Sequence, residues 1–317
     1  MKIVLFGDSM FGRNNNHFLQ NPFKNLANEI PSFKSATIIF NLETTISPIP
    51  HPETLKEDKV FNYQSKGKQL KQLRKLTKKP IITSISNNHS LDYSPYSYET
   101  TMRFLKANSI LYSDPLRQNQ PYITTNNLIF LNATDHCGCK NPQLWGNYVW
   151  MIDIQSKQQQ KAIQEMLRKI RLLPENKNKI IVFSIHWGSN WLKSIPKKMQ
   201  NFGRMLIDAG VNIVFGHSAH HIPPIPYEFY NNNLIIYGLG DAFNDYAVKP
   251  EYKSNECLIC EVDFNKQSNK QSNKQSNKQS NKQSNNTLTV TRMLREMDSK
   301  THSSIPKYVL SKKTHKF

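Results

Sequence analysis

The sequence predicts an α/β fold in which largely parallel strands are joined by helices, and two observations indicate it. Short apolar runs rich in Val, Ile and Phe recur along the chain and end at glycine or polar residues, the pattern of buried strands. Segments with the 3.6-residue period of amphipathic helices separate several of these runs. Strand, helix and strand in this order imply right-handed crossover connections.

The first half of the chain carries three clear strand patterns, at residues 2–6, 36–40 and 81–85. A helix of modest quality is expected near 22–30, and Leu70, Leu73 and Leu76 mark a short basic helix. Ser94 and Pro95 have the residue types of an N-cap and a first helical position, so a further helix is expected from there to about Asn108.

The second half continues the alternation. Strands are expected at 110–112, 128–131, 180–183, 211–215 and 234–237. Apolar residues at the helical period predict helices over 157–173 and 197–209, and Gly210 suits the position after the end of the second.

The chain divides into three predicted segments. Residues 1–264 form the folded domain, and 265–286 form a low-complexity loop of Gln-Ser-Asn-Lys repeats, which contain no apolar residue and cannot pack. This loop is expected to join two antiparallel strands, because residues 257–264 and 287–291 both have strand character. Residues 287–317 are expected to be a final strand and a basic tail, of which only Ile305 and 308–310 are suited to docking.

Charge and composition narrow the class of protein. The formal net charge of +19 suits a partner with phosphates, but five of the lysines lie in the repeat and the others are dispersed. No specific nucleic acid is therefore expected. No apolar run reaches the length of a signal or a membrane span, so the chain is expected to be cytoplasmic, without a membrane anchor. Its four cysteines, Cys137, Cys139, Cys257 and Cys260, are expected to be reduced thiols.

Polar residues with ligand chemistry follow five of the predicted strands. They are Asp8; Asn41 and Glu43; Asn88 and His89; His186; and His217 and His220. Ligands bind at the carboxyl ends of strands in open α/β sheets, so these side chains are expected to converge. Carboxylate and amide oxygens with imidazoles suit one or two divalent ions, with Mn, Fe or Zn most plausible.

Each of these residues, taken alone, could also have a purely structural role. Asp8 is compatible with a turn cap, Glu43 with a solvated surface charge, and Asn88 with a left-handed turn residue. Asp92 fits a helix start as well as a site. Coincidence at five strand ends together favours a metal centre, in which Glu43 bridges paired ions and His89 protonates a leaving oxygen.

Six motifs in this order resemble the bacterial capsule-synthesis CapA family, also called poly-gamma-glutamate biosynthesis (PgsA-like) proteins, of the calcineurin-like metallophosphoesterase superfamily. The motifs are Gly7-Asp8, Asn41-Leu42-Glu43, Asn87 to Tyr93, His186-Trp187-Gly188, Gly216 to His220, and Tyr237 to Asp241.

The resemblance implies a four-layer α/β/β/α sandwich with a metal centre at the strand ends. It places Asp8, Glu43, Asn88, His186, His217 and His220 at ligand positions and His89 at the usual acid position. Asp92, in the same motif as His89, is expected to be the second catalytic residue. Met10 replaces a histidine of the phosphoesterase pattern, and Ser189 and Asn190 replace an acidic residue, which leaves open whether the site holds one metal or two.

The expected function is that of a metal-dependent hydrolase of a phosphoester or related bond, acting through a metal-bound hydroxide and linked to capsule or poly-γ-glutamate synthesis. The expected substrate is a small molecule or a polyanion. Two alternatives stay open: a non-catalytic factor that binds or assembles the capsule polymer, and, less favoured, a phosphodiesterase that processes nucleic acid.

Overall fold

The computed structural model describes residues 1–12, 21–49, 59–114, 116, 121–136, 140–265, 286–297 and 304–317. Most of the repeat loop predicted at 265–286, together with Cys137 and Cys139, lies outside these residues. The elements are, in chain order, β1 (Lys2–Ser9), α1 (Phe23–Glu29), β2 (Thr37–Leu42), β3 (Thr45–Ile46), β4 (Gln64–Ser65), α2 (Lys68–Leu76), β5 (Ile81–Ser84), α3 (Pro95–Ala107), β6 (Leu111–Tyr112), β7 (Ile123–Thr124), β8 (Leu128–Thr134), α4 (Pro142–Gly146), α5 (Lys157–Leu172), β9 (Ile180–His186), α6 (Lys197–Asp208), β10 (Ile213–His217), β11 (Tyr227–Tyr230), β12 (Asn233–Ile236), β13 (Asp241–Phe243), β14 (Glu256–Asp263), β15 (Thr287–Met297) and β16 (Ser304–Lys316).

The first sheet contains the N-terminal strands and the C-terminal ones. Its order is β16-β15-β14-β1-β2-β5-β6, and β13 pairs with the end of β1. Strands β1, β2, β5 and β6 run parallel, whereas β14 runs antiparallel to β1. The carboxyl ends of β1, β2 and β5 therefore share one edge of the sheet.

The second sheet has the order β11-β12-β10-β9-β8-β7. Its inner strands β8, β9, β10 and β12 run parallel. At the two edges, β11 pairs antiparallel with β12, and β7 pairs antiparallel with β8. In the ladder between β9 and β10, His186 pairs with His217. The two histidines at these strand ends are thus direct neighbours.

Three apolar layers show how the two sheets pack. Alternate residues of β1 point to opposite faces: Val4 and Phe6 pack in the layer under α1, α2 and α3, and Ile3 and Leu5 pack against the second sheet. The outer face of the second sheet packs under α5 and α6. Helices, sheet, sheet and helices form the predicted four-layer α/β/β/α sandwich, which is confirmed.

Several strands and helices lie where the sequence predicts them, with one local exception. Helix α3 begins at Pro95, but the Ser94 side chain makes no capping hydrogen bond, and its φ of 94° lies outside the extended backbone of an N-cap. Ser94 and Pro95 therefore occupy the predicted N-cap and first helical positions, but the Ser94 side chain does not cap the helix. Gly210 after α6 has a φ of 101°, a conformation that glycine adopts without steric cost.

The C-terminal residues extend the first sheet further than predicted. Strand β15 pairs antiparallel with β14, as expected of the hairpin. Residues 304–316, expected to be a tail with little docking, form the 13-residue strand β16, which pairs antiparallel with β15. Backbone hydrogen bonds make this ladder, so the apolar content of the tail did not indicate it.

The cysteine prediction can be tested at one of the two pairs. Cys257 and Cys260 are buried free thiols on opposite faces of β14, one in the layer beneath the helices and the other between the sheets. Within the described ranges, no helix has both the length and the apolar character needed to cross a bilayer.

Candidate metal centre

The first sheet contributes two buried carboxylates at its carboxyl edge. Asp8 lies near the end of β1, and Glu43 follows β2; their exposed fractions are 1% and 0%. Asn41 joins them, because its Nδ2 donates to Asp8 Oδ1 at 2.8 Å and to Glu43 Oε2 at 3.2 Å. The backbone N–H of Ser218 donates to Asp8 Oδ2 at 3.0 Å, which ties the carboxylate to the second sheet.

These carboxylates carry a charge that their surroundings do not favour. Burial, together with the nearby charge of Asp241, raises the pKa of Asp8 to about 6. Burial and the neighbouring Asp8 and Asp241 raise the pKa of Glu43 well above its usual value. A divalent cation between the two groups would supply the missing positive charge and keep both ionised near neutral pH.

The second sheet contributes imidazoles. The Nδ1 atoms of His186 and His217 lie 2.9 Å apart, and Ser184 Oγ lies 3.0 Å from His217 Nε2. Burial lowers the pKa of His186 well below its usual value and that of His217 to about 3. Both rings are therefore neutral near pH 7, the form in which a ring nitrogen binds a metal.

His220 completes the histidine side, and an aspartate orients it. His220 Nδ1 lies 2.9 Å from Asp241 Oδ1. Burial opposes charge on this ring, but Asp241 and Asp8 raise its pKa above the usual value. Asp241 begins β13 and pairs with Asp8 across the ladder, so its place follows from the sheet. A carboxylate on one ring nitrogen commonly fixes a metal-binding imidazole.

The ligand atoms of these residues are close enough to share an ion. Asp8, His186 and His217 form one set whose ligand atoms lie within 4.8 Å of one another, and Asp8, Glu43 and His220 form another. All five residues are buried. The two sets meet at Asp8, so the arrangement suits one ion or two adjacent ones.

Two of the predicted ligands have a buried oxygen that lacks a hydrogen-bond partner among the described residues, Glu43 Oε1 and Asn88 Oδ1. Buried acceptors are nearly always satisfied, so the unpartnered Glu43 Oε1, which lies 3.9 Å from His89 Nε2, indicates a partner of another kind. Carboxylate, amide and imidazole donors fit Mn, Fe or Zn, and the residues therefore fit a divalent metal.

The predicted catalytic pair lies directly beside these ligands. His89 Nδ1 is 2.7 Å from Asp92 Oδ2, and His89 Nε2 is 3.9 Å from Glu43 Oε1. The backbone N–H of Tyr63 donates to Asp92 Oδ2 at 2.7 Å, and Lys59 Nζ lies 3.1 Å from Asp92 Oδ1. Asp92 thus contacts the His89 ring. The sequence also allowed Asp92 to be only a helix-start residue, which would not require this contact.

His221 and Met10 do not add ligands to the centre. Both ring nitrogens of His221 contact backbone carbonyls, Nδ1 that of Ala219 at 2.8 Å and Nε2 that of Leu192 at 3.0 Å. His221 is therefore occupied elsewhere. Met10 is fully buried and places a thioether where the phosphoesterase pattern has an imidazole.

Sequence reasoning missed two groups at this edge. Asp241 ends one of the six motifs, but no role was predicted for it. Its position directly after Gly238-Leu239-Gly240 could have indicated that it belongs to the site. Asp135 and His136 follow β8, beside His186, with ring centres of the two histidines 5.5 Å apart. An Asp-His pair in a loop has no periodic sequence pattern. Its position near the site follows only from the pairing of β8 with β9, which ends at His186.

Comparisons with known proteins find relatives named for polyglutamine or capsule synthesis. A probable polyglutamine synthesis accessory protein of Mycobacterium tuberculosis is 27% identical over 220 residues, which are 66% of this chain and 55% of that protein. A capsule biosynthesis protein CapA of Bacillus anthracis is 21% identical over 210 residues, 62% of this chain and 49% of that one. The chain spans about half the length of these curated relatives. The solved structure of TT1561 from Thermus thermophilus aligns with 7% identity and a TM-score of 0.41, covering 81% of this chain and 92% of that one.

The family profile described as bacterial capsule synthesis protein PGA_cap matches residues 2–246. This match includes the carboxylates of the first sheet, the histidines of the second, and Asp241. It covers well over half of the chain, so the chain belongs to the bacterial capsule synthesis protein PGA_cap family.

Proposed function

We propose that this protein is a metal-dependent hydrolase that cleaves a phosphoester or related bond in capsule or poly-γ-glutamate synthesis. One observation carries the proposal: the unpartnered Glu43 Oε1 lies 3.9 Å from His89 Nε2 and 4.0 Å from His186 Nε2, with no hydrogen bond to either ring. A buried carboxylate oxygen facing two imidazoles is the arrangement expected around an ion.

The ligands of the proposed centre come from both sheets. They are Asp8, Glu43, Asn88, His186, His217 and His220. A divalent ion held by these residues would polarise the substrate oxygen and lower the pKa of water enough to supply hydroxide near neutral pH. Asn41 holds the Asp8 and Glu43 carboxylates at their spacing, and Asp241 fixes the orientation of His220.

His89 takes the position of the general acid. Asp92 accepts a hydrogen bond from Nδ1–H, which fixes the ring and stabilises its charged form, and Nε2 points toward the carboxylate side of the centre. A proton on Nε2 is then available to a leaving oxygen. Burial lowers the pKa of His89, so the proton is readily given up once the leaving oxygen needs it.

The biological setting of the proposal rests on the relatives. One is named a polyglutamine synthesis accessory protein, and another a capsule biosynthesis protein CapA. The two names concern the synthesis of polyglutamine and of a capsule, so the proposed substrate is a small phosphorylated molecule or a polyanion. Nucleic acid is not the proposed partner.

A second candidate is a non-catalytic factor that binds the capsule polymer. The observation in its favour is that β16 has four exposed lysines, of which Lys307 pairs with Glu296 and Lys312 with Glu261, while Lys313 and Lys316 are in no ion pair found among the described residues. Exposed lysines suit an acidic polymer, whose binding would weaken steeply with added salt.

The test is hydrolysis of bis-p-nitrophenyl phosphate by the full chain with added manganese. The wild type should turn over the ester, chelator should stop the reaction, and His217→Ala should abolish it. His221→Ala is the matched control, because His221 is an equally buried histidine whose nitrogens face backbone carbonyls. Failure of every metal to support turnover, with salt-sensitive binding to poly-γ-glutamate, would replace the hydrolase by the binding factor.

A further inference from the structure

A third aspartate–histidine pair lies at the edge of the metal centre, beyond the residues already given roles. Asp135 and His136 directly follow β8, whose neighbour β9 ends at His186. The Asp135 N–H donates to the carbonyl oxygen of His186 at 2.9 Å, and Asp135 Oδ2 accepts from the N–H of Gly188 at 3.1 Å. Asp135 is therefore fixed to the strand end that carries a proposed ligand.

The pair repeats an arrangement seen twice in the same centre. His89 Nδ1 lies against Asp92, and His220 Nδ1 lies against Asp241. His136 Nδ1 is hydrogen-bonded to Asp135 Oδ1 in the same way. A carboxylate on Nδ1 fixes the ring plane and makes Nε2 the nitrogen that can reach a ligand.

The position of His136 differs from that of the other two. Its ring centre lies 5.5 Å from that of His186, but the His136 side chain is 37% exposed whereas that of His186 is 1% exposed. Neither of the two buried ligand sets found among the described residues includes His136. The ring thus lies on the solvent side of the centre, where a substrate would arrive.

Stability alone does not account for the pair. Asp135 is already held by backbone groups, through the N–H of Gly188 and the carbonyl oxygen of His186, whereas the His136 side chain is 37% exposed and adds little buried surface. Its partners are instead the Asp135 carboxylate and the face of a proposed metal ligand.

We infer that His136 is a substrate-contacting residue, whose Nε2 hydrogen-bonds a polar group of the anion held at the metal centre, and that Asp135 is its positioning residue. The inference rests on the proposed function for the identity of that centre. His136 would then select for an oxyanion, a phosphate or phosphoester, that presents a hydrogen-bonding group on the side of His186.

The experiment measures two properties of the manganese-loaded full chain. The first is binding of inorganic phosphate by titration calorimetry, and the second is the KM and kcat for bis-p-nitrophenyl phosphate. The variants are His136→Ala, His136→Gln and Asp135→Asn. His315→Ala is the control, because His315 is a half-buried histidine whose Nε2 contacts Tyr227 Oη outside the centre.

His136→Ala should weaken phosphate binding about tenfold, the loss of one hydrogen bond to a charged group, and should raise KM more than it lowers kcat. The glutamine, which keeps a polar group near the Nε2 position, should recover part of the loss. Asp135→Asn should give a smaller effect in the same direction, and all variants should bind as much manganese as the wild type.

Three results would overturn the inference. One is phosphate affinity and KM within about twofold of wild type in His136→Ala. Another is loss of bound manganese in that variant, which would make His136 a ligand. The third is no phosphate binding by the metal-loaded wild type. Absence of ester turnover with phosphate binding still weakened by His136→Ala would instead count against the proposed hydrolase and leave the contact in place.

Discussion

The two sheets supply opposite halves of one centre. The first provides the Asp8 and Glu43 carboxylates, whose pKa values are raised by burial. The second provides imidazoles, and burial lowers the pKa values of two of them, His186 and His217. These two carboxylates and two rings all disfavour charge when no ion is present, and a divalent ion between them would stabilise the carboxylates while binding the neutral rings.

This difference shows why the centre lies between the sheets and not within one of them. Strand ends of the first sheet bring the acidic residues together, and register between β9 and β10 pairs the histidines. Ser218 N–H bonded to Asp8 connects the halves. An ion would be the remaining link, so removal of either half should have similar consequences for activity and different ones for stability.

The largest expected effect tests whether the halves share an ion. Glu43→Gln removes a charge from the first half, and His186→Ala removes a ring from the second. Each should reduce ester turnover by about a hundredfold or more, beyond the 10–100-fold typical of residues that only orient a ligand. Steady-state kinetics with saturating manganese measure the effect. A large loss in one variant and none in the other would break the idea of a shared ion.

The next effect concerns the orientation of His220. Asp241→Asn keeps the shape of the side chain but removes the charge next to His220 Nδ1. Metal affinity should fall about 10–100-fold, as measured by competition with a fluorescent chelator. Asp208→Asn, an exposed aspartate bonded to Tyr230 and Asn231, is the control and should leave the affinity unchanged. Equal affinities in both variants would remove Asp241 from the site.

The pH dependence should separate the halves when metal is absent. The pKa of Asp8 is about 6 in the folded protein, against an ordinary value of 3.8. The folded state therefore holds this proton more tightly, and the contribution to the free energy of unfolding is lost as pH rises through about 6. The pKa of His217 is about 3, against 6.5; its contribution is present above 6.5 and is lost as pH falls toward 3.

Metal should relieve the penalty on the carboxylates. The increase in Tm that manganese gives should thus grow as pH rises from about 5 to about 7, since ionised Asp8 and Glu43 bind the ion. In chelator at neutral pH, Glu43→Gln should raise Tm, because the cost of the buried charge disappears. Calorimetry of the loaded and chelated protein measures both, and a lower Tm for the chelated variant would contradict the account of this half.

The smallest expected effect concerns the number of ions. Met10 lies two residues after Asp8, directly after the end of β1. Met10→His would restore the imidazole of the phosphoesterase pattern, and the thioether is the poorer ligand for Mn or Zn. Bound manganese per chain should rise from about one toward about two, as counted by electron paramagnetic resonance. An unchanged count would show that Met10 does not limit the site.

Much of this centre could be predicted because it depends on simple regularities. Apolar runs that end at polar residues locate strand ends, and parallel strands bring those ends to one edge. Asp8, Glu43 and His217 follow from that rule alone. The four-layer packing came from the resemblance, since two sheets stacked on one another leave no distinct period in the sequence.

The remaining features depend on contacts between distant segments. Strand β16 forms by pairing its backbone with β15, whatever its side chains are. Strands β3 and β4 have two residues each, too few to show any alternation. Asp241 contacts His220, 21 positions earlier in the chain, and Asp135 accepts a hydrogen bond from Gly188, 53 positions later, so neither position can be read from a local pattern.

The most direct test of the shared centre is the metal content of the purified full chain, measured by mass spectrometry after incubation with Mn, Fe or Zn and removal of free ions. At least about one ion per chain is expected in the wild type, as two converging ligand sets require. Asp8→Ala and His217→Ala, one from each half, should both lose it, and His221→Ala should keep it. No bound metal in the wild type, or equal metal in all the variants, would contradict the account.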